Sequence, residues 1–146
     1  MGQPRELMDR VTGALLAKDF EALRELYAPK AIGVTPDAGE LHGVDEIIGY
    51  FRVLSEAFPN MSYESVGTYE SGACAIDQGD MFGHNTGHMQ LPDGQVVPPT
   101  GKQVRIRSMD IATVHDGRII RHEWYWDQLD VLTQLGLLTV AAPAQG

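Results

Sequence analysis

The chain has 146 residues, of which 43% are hydrophobic and 21% charged, a composition ordinary for one folded globular domain. Its formal net charge of −9 would repel a nucleic-acid backbone, and no run of Lys and Arg offsets that repulsion, so we exclude nucleic-acid binding. Cys74 is the only cysteine, which excludes an intramolecular disulfide and a thiolate zinc cluster and is typical of a reducing cytoplasm.

The N-terminal segment MGQPRELMDR carries charges throughout and lacks the continuous apolar stretch of a signal peptide. No apolar stretch approaches the roughly 20 residues that a membrane-spanning helix needs. We therefore expect a soluble, cytoplasmic protein without a membrane partner. No internal repeat or linker divides the chain, which predicts a single domain over 1–146 with a frayed tail at about 139–146.

Three helices are predicted in the first half of the chain. Apolar residues recur near every 3.6 positions in the first helix, at Leu7, Met8, Val11, Leu15 and Leu16. Asp19 stands where the N-cap of a second helix belongs, and Pro29 ends that helix. The segment 31–43 indicates a strand edge and a loop. Helical spacing returns over 44–58 and ends before Pro59.

After Pro59 the period of the apolar residues changes to two, which predicts strands rich in β-branched and aromatic residues. The predicted strands cover 61–70, 73–90, 103–114 and 118–126. An apolar segment at 128–138 predicts a closing helix. Helices followed by strands indicate an α+β architecture.

The turn Asp116-Gly117 is the strongest hairpin signal in the chain. A two-residue turn would place Asp110 opposite Glu123, which sets two carboxylates side by side on an otherwise apolar face. A three-residue loop, with the glycine in a bulge, places Asp110 opposite His122 instead. Because the hydrophobic pattern sets the register, we predict the second pairing.

The predicted register gives the hairpin two different faces. The inner face is apolar and aromatic, and it pairs Ser108 with Trp124 and Ile106 with Trp126. The outer face is charged, which suits a solvent or subunit surface. Its members are Arg105, Arg107, Arg121, Glu123 and Tyr125.

An imidazole opposite a carboxylate on an apolar face is an arrangement that general acid–base catalysis uses, because the carboxylate fixes the tautomer of the ring. We predict His122 as the proton-transfer group and Asp110 as its orienting partner. The alternative is that the two side chains only satisfy each other's hydrogen bonds in the core. Tyr27 and Tyr63 are candidates to donate a hydrogen bond to a developing oxyanion.

Two further sets of residues carry weaker signals. His84 and His88 lie four apart in a predicted strand, on the same face as Asp80, and could bind a metal. Their Gly-rich surroundings offer no helix to hold two ligands, so we predict no metal site and interpret both histidines as pocket-lining or surface residues. Asp77 and Asp80 lie three apart and therefore point to opposite faces, so at most one enters the pocket.

Five segments in this order resemble the SnoaL-like polyketide (ester) cyclases of the nuclear-transport-factor-2-like superfamily. The segments are DFEALRELYAP, HGVDEIIGYF, PPTGK, VHDGRIIRHEWYWD and LTQLGLL, and together they span nearly the whole chain. The resemblance implies a cone-shaped barrel of three or four helices packed on a strongly curved antiparallel or mixed sheet. It also implies a homodimer formed through the outer sheet face.

The resemblance implies ring closure in an aromatic polyketide by aldol chemistry, without a metal or an organic cofactor. In such enzymes an aspartate acts as acid and base. Here Trp124 occupies the column of that aspartate, and Asp110 occupies the column of a pocket histidine that supports it. The family pattern GTHTG reads GHNTG, so its histidine is replaced by Asn85 and His84 stands one place earlier.

These observations lead to a first hypothesis with two alternatives. The first is a cyclase-type enzyme that performs cofactor-independent acid–base chemistry on an aromatic or polycyclic molecule, with Asp110 and His122 as its catalytic pair. Its expected substrate-binding residues are Ser108, Trp124, Trp126, His84, His88, Tyr27 and Tyr63. The alternatives are a non-catalytic small-molecule-binding or assembly module of the same fold, and a hydrolase, dehydratase or hydroxylase-like member of the superfamily.

Overall fold

Four helices and a six-stranded mixed sheet make up the computed structural model, which describes residues 2–91 and 93–139. The helices are α1 (Gln3–Leu16), α2 (Phe20–Leu26), α3 (Val44–Ala57) and α4 (Gln128–Gln134). The strands are β1 (Tyr27–Thr35), β2 (Gly39–His42), β3 (Ser62–Ser71), β4 (Cys74–His84), β5 (Met89–Gln90), β6 (Val96–Val97), β7 (Gln103–His115) and β8 (Arg118–Trp126).

The large sheet has the strand order β2-β1-β8-β7-β4-β3. Its neighbours are antiparallel except for β1 and β8, which run parallel. β5 and β6 form a separate two-stranded ribbon. The expected α+β class and curved, cone-like shape are confirmed, but the sheet stays open at β2 and β3 and does not close into a barrel.

The first two helices form as their sequence pattern predicts. Leu7, Met8 and Val11 of α1 are buried against the sheet. Asp19 is confirmed as the N-cap of α2, because its Oδ1 accepts a hydrogen bond of 3.1 Å from the Ala22 amide.

Pro29 does not end the second helix, so that prediction is wrong. α2 already ends at Leu26, and β1 begins with Tyr27, whose ring is buried in the core. Pro29 lies inside β1, between the pairs Tyr27–Ile119 and Ile32–Arg121, where the register of the ladder with β8 shifts. A strand tolerates proline where the ladder is interrupted, because no amide is needed there.

The segment 31–43 contains more strand than its sequence indicates. It supplies most of β1 and all of β2, which pair as a hairpin with Thr35 opposite Gly39. The predicted helix over 44–58 is confirmed as α3, which buries Ile47, Ile48 and Phe51.

The predicted strand over 73–90 is too long, because β4 ends at His84 and the ribbon strand β5 follows separately. Asn85 is fully buried at this break. Its amide group donates to the carbonyls of Ala57 and Gly87, and its Oδ1 accepts from the amide and hydroxyl of Thr100 at 2.9 and 2.8 Å. Four hydrogen bonds to one side chain hold the 85–101 segment against α3, which explains why the strand stops here.

The closing helix is shorter than predicted. α4 begins after the N-cap Asp127 and ends at Gln134, with Gly136 in the left-handed region at φ 74°. The frayed tail that the sequence predicts falls almost entirely outside the described residues.

The β7–β8 hairpin adopts neither register considered from the sequence. Asp116 and Gly117 form a two-residue turn at φ 50° and 76°, and His115 pairs with Arg118. A bulge then leaves Ile120 without a partner, so that Thr113 pairs with Arg121. The bulge turns Ile119 inward and Ile120 outward, the reverse of the predicted faces.

The bulge decides which residues meet on the inner face. Asp110 lies opposite Trp124 and Ser108 lies opposite Trp126, so the predicted pairing of Asp110 with His122 is wrong as a direct pair. His122 lies opposite Ala112 and is the diagonal neighbour of Asp110, within reach of its side chain. The predicted pairs Ser108–Trp124 and Ile106–Trp126 are wrong for the same reason.

The outer face of the hairpin is charged and exposed, as predicted. Arg121 and Tyr125 both bond the Glu123 carboxylate, and Arg105 Nη2 lies 2.7 Å from Asp80 Oδ2. A subunit contact on this face remains a prediction. Within the described residues, no helix is both long and apolar enough to cross a membrane.

Candidate active site

A cavity of about 150 Å³ lies between the inner face of the sheet and helices α1, α3 and α4. Most of its wall is apolar. The polar lining residues are Thr12, Asp37, Tyr50, Tyr63, Asp77, Ser108, Asp110 and Gln128, and the aromatic ones beyond the tyrosines are Phe51, Phe58, Trp124 and Trp126. An apolar cavity with a few converging polar groups is the usual form of a small-molecule site.

Asp110 is the cavity end of a buried hydrogen-bonded chain. His122 Nε2 lies 2.7 Å from Asp110 Oδ2, and His122 Nδ1 lies 2.7 Å from the Tyr27 hydroxyl. The Asp110 side chain is 15% exposed, whereas His122 is completely buried. Of these three hydrogen-bonded side chains, only Asp110 therefore reaches the cavity.

The chemistry of Tyr27 and Asp110, at the two ends of this hydrogen-bonded chain, determines which atom donates in each of its two hydrogen bonds. Burial, together with the charge of Asp110, raises the pKa of Tyr27 well above its ordinary value, so its hydroxyl stays protonated and can donate to Nδ1. A carboxylate can only accept hydrogen bonds, so Nε2 of His122 carries a proton and donates a hydrogen bond to Asp110. Tyr27 thus fixes the tautomer that presents an N–H to the carboxylate.

Aromatic rings hold the imidazole in place. Trp124 stacks on His122 with ring centroids 3.7 Å apart, and the Tyr27 ring, whose hydroxyl bonds Nδ1, has its centroid 5.9 Å from that of the imidazole. Phe51 meets Trp124 edge to face at 5.6 Å. Trp124 therefore seals His122 away from the cavity and forms part of the cavity wall itself.

This burial corrects the roles expected for the pair. His122 has both ring nitrogens engaged and no exposed surface, so it lies behind Asp110 and does not reach the cavity. Tyr27 does not line the cavity either, and its hydroxyl serves the imidazole rather than an oxyanion.

A second carboxylate, which sequence reasoning missed, stands beside Asp110. Asp77 of β4 is the direct cross-strand partner of Asp110, and both side chains line the cavity. Arg5 of α1 contacts Asp77 Oδ1 at 2.6 Å and also bonds Asp9. Burial, followed by the charge of Asp110, raises the pKa of Asp77, while Arg5 opposes that shift.

The sequence did contain part of this signal. Asp77 and Asp80 point to opposite faces as predicted, since Asp77 enters the cavity and Asp80 pairs with Arg105 outside. That Asp77 meets Asp110 depends on the register between β4 and β7, which alternation along one strand does not reveal.

Tyr63 of β3 also lines the cavity, together with Asp77 and Asp110, and we call these two carboxylates the cavity floor. A Cβ at Gly79 would overlap its phenol, so the glycine makes room for the ring. The Tyr63 hydroxyl is fully buried and finds no hydrogen-bond partner among the described residues. Burial and the charges of Asp77 and Asp110 raise the pKa of Tyr63 to about 12, so the hydroxyl keeps its proton and is available as a donor.

Of the remaining expected binding residues, Ser108, Trp124 and Trp126 line the cavity. The indole nitrogen of Trp126 donates to Gln128 at 2.8 Å, which fixes the ring at the start of α4.

His84 and His88, expected as substrate-binding residues, do not line this cavity. His84 bonds the Gly101 carbonyl at 3.0 Å near the surface, because it lies on the same outer face of β4 as Asp80. Within the described residues, no three His, Cys, Asp or Glu side chains converge as metal ligands would.

Comparison with known proteins points to one family. The model of the SnoaL-like domain family matches residues 7–122, most of the chain. No protein with a curated description matches the chain in sequence.

Solved structures of similar fold carry several names. A protein from Jannaschia sp. CCS1, proposed to be a SnoaL-like polyketide cyclase, superposes with a TM-score of 0.82 at 22% identity over 94% of each chain. IdmH from Streptomyces antibioticus, a proposed polyketide cyclase, gives a TM-score of 0.74 at 26% identity over 92% of this chain and 99% of its own. AclR from Streptomyces galilaeus, a proposed hydroxylase, gives a TM-score of 0.78 at 17% identity over 97% of this chain and 85% of its own.

Proposed function

Because the chain belongs to the SnoaL-like domain family, we propose that it is a polyketide-cyclase-type enzyme that moves protons on a small molecule without a cofactor. The observation that supports this function is the buried chain from Tyr27 through His122 to Asp110, which ends with one carboxylate at the cavity wall. A positioned carboxylate whose hydrogen-bond partner is itself oriented is the arrangement of a general base.

In the proposed reaction Asp110 removes a proton from a carbon next to a carbonyl group. The electron pair of the broken C–H bond moves to the carbonyl oxygen, and the Tyr63 hydroxyl donates a hydrogen bond to that oxygen. The enolate carbon then attacks a second carbonyl to close a ring, and the proton on Asp110 passes to the new alkoxide. Atoms and charge balance without a further reactant.

The cavity volume limits what enters. A cavity of about 150 Å³ with apolar walls holds a benzene-sized group. A larger substrate would place one ring against Trp124 and Phe51 and keep the rest at the cavity mouth, beside Leu16 and Asp37.

Exchange of carbon-bound protons tests this proposal without knowledge of the natural substrate. Acetophenone and cyclohexanone are incubated with the protein in D₂O, and the loss of the α-proton signal is followed by ¹H NMR. We expect the wild type to accelerate the exchange and Asp110→Asn to slow it by about 100-fold or more. Asp116→Asn is the matched control, because it makes the same charge change in an exposed turn and should exchange at the wild-type rate.

The small cavity also favours a second candidate, a non-catalytic binding module. The volume is half of the roughly 300 Å³ at the lower end for ligand pockets, and Trp124 fills space next to His122. If both ketones bind but neither exchanges its protons above the rate in buffer, the enzyme proposal is contradicted and the binding module is supported.

A further inference from the structure

We propose that the cavity accepts a ring-bearing ammonium ion, with the ammonium group between Asp77 and Asp110 and the ring against Trp124 and Phe51. This inference rests on the proposed function, because it names a substrate class for the same cavity. It concerns binding, so it can be tested without turnover.

The charges around the cavity favour a cation. Three carboxylates line it, those of Asp37, Asp77 and Asp110, and none of the lining side chains is Lys, Arg or His. Arg5 lies behind Asp77, but its guanidinium is shared with Asp9 at 2.6 Å. One buried cation is therefore shared between Asp77 and Asp9, and the Asp77–Asp110 pair keeps an excess of negative charge.

The two carboxylates on the floor are poorly compensated. Asp77 is the cross-strand partner of Asp110 and its side chain is only 6% exposed, so the two charges repel each other across a poorly hydrated space. Arg5 contacts Asp77 Oδ1 at 2.6 Å, and the Asp77 side chain also lines the cavity. An ammonium group placed between the two carboxylates would replace repulsion by two charge-assisted hydrogen bonds.

A second feature of the floor independently indicates a polar ligand. Tyr63 lines the cavity, and its hydroxyl is buried without a hydrogen-bond partner among the described residues. Burial without a partner costs free energy that a ligand's polar atom recovers. Burial and the charges of Asp77 and Asp110 raise the pKa of this hydroxyl, so it keeps its proton and can donate to a ligand.

The walls select an organic cation over a metal ion. Aromatic faces attract cations, and indole attracts them most strongly. The six aromatic lining residues are Tyr50, Phe51, Phe58, Tyr63, Trp124 and Trp126. A divalent ion needs about six oxygen ligands, whereas this wall is mainly apolar and suits one benzene-sized group.

Three probes of nearly the same shape separate charge from fit. Benzylamine is a cation at pH 7, benzyl alcohol is its neutral counterpart, and benzoate is an anion. Both tryptophans of the chain line the cavity, so intrinsic fluorescence reports binding at this site. We expect benzylamine to bind at least about tenfold more tightly than benzyl alcohol at low salt, and benzoate to bind most weakly.

Matched variants show whether the floor causes that preference. Asp77→Asn should abolish most of the preference for benzylamine, whereas Asp116→Asn, with the same change in net charge, should keep it. Asp110→Asn provides a second route to the same result if Asp77→Asn does not fold. Equal affinity for benzylamine and benzyl alcohol in the wild type would overturn the inference, as would an equal loss in Asp77→Asn and Asp116→Asn.

The binding result and the exchange result are separable. Exchange of neutral ketone protons by Asp110 without any preference for benzylamine would overturn the ammonium site and leave the proposed enzyme intact. A preference for benzylamine without proton exchange would support the ammonium site and contradict the enzyme.

Discussion

Replacing Tyr27 with phenylalanine removes one oxygen atom from the buried chain behind the cavity and leaves the ring in place. The wild-type hydroxyl lies 2.7 Å from His122 Nδ1, and the phenylalanine ring would keep the packing against Phe51. His122 has no exposed surface, so water has no access from outside to replace the missing hydroxyl. The variant therefore isolates one hydrogen bond to one buried acceptor.

The magnitude follows from that burial. A buried acceptor that loses its partner costs about 1–3 kcal/mol, more than the roughly 1 kcal/mol net value of an average hydrogen bond. At an unfolding entropy of about 2.1 cal/mol/K per residue, a chain of this length shifts its Tm by about 3 °C for each kcal/mol. We expect Tyr27→Phe to lower the free energy of unfolding by about 1–3 kcal/mol and the Tm by about 3–10 °C.

Urea denaturation at pH 7 measures this difference, and the m-value checks that both proteins unfold in the same way. Tyr69→Phe is the control, because Tyr69 is 53% exposed and the same atom is removed from a solvated position. ¹⁵N NMR of labelled histidine adds a direct readout, since His122 should carry its proton on Nε2 in the wild type. A loss no larger than that of Tyr69→Phe, or a proton on Nδ1, would refute the assigned hydrogen-bonded chain.

Three further changes have defined outcomes in urea denaturation. Asn85→Ala removes four hydrogen bonds made by a fully buried side chain and should lower the free energy of unfolding by about 2–4 kcal/mol; a loss under about 0.5 kcal/mol would contradict its structural role. Gly79→Ala should cost about 1–3 kcal/mol by overlap with Tyr63, whereas Gly49→Ala in α3, with open space around its Cβ, should gain about 0.5–1 kcal/mol. Burial and the charge of Asp110 raise the pKa of Asp77, so the folded protein keeps the proton on the Asp77 carboxyl at pH values where the unfolded chain has lost it. The wild type should therefore lose stability relative to Asp77→Asn as pH rises from about 3.8 through the raised pKa. A stability difference that is constant with pH would contradict that shift.

The local pattern of the sequence was enough to predict most elements of this fold. Helical spacing identified α1 and α3, Asp19 was identified as an N-cap, and the strand over 118–126 matches β8 residue for residue. These features depend on neighbours within one turn of helix or along one strand, which a single sequence displays. The same alternation put Asp110 and His122 on one face, and they do share a hydrogen bond.

Long-range packing decided the rest. The two-residue turn and the bulge at Ile120 each moved the hairpin register by one residue from the predicted pairing, so Trp124 lies opposite Asp110 and His122 takes a buried diagonal position. Both registers keep an apolar face inward, so the sequence pattern alone could not choose between a three-residue loop and a two-residue turn followed by a bulge.

By itself the sequence determined the kind of protein: an acidic α+β chain of the SnoaL-like family with a carboxylate and an imidazole on its inner face. Only the tertiary structure decided that Asp110 faces the cavity while His122 lies sealed behind Trp124, and that Asp77 joins Asp110 on the floor. The physical reason is that side-chain direction along a strand is a local property with a period of two residues. Which carboxylates become neighbours depends instead on strand order and register, which are set by packing across the whole sheet.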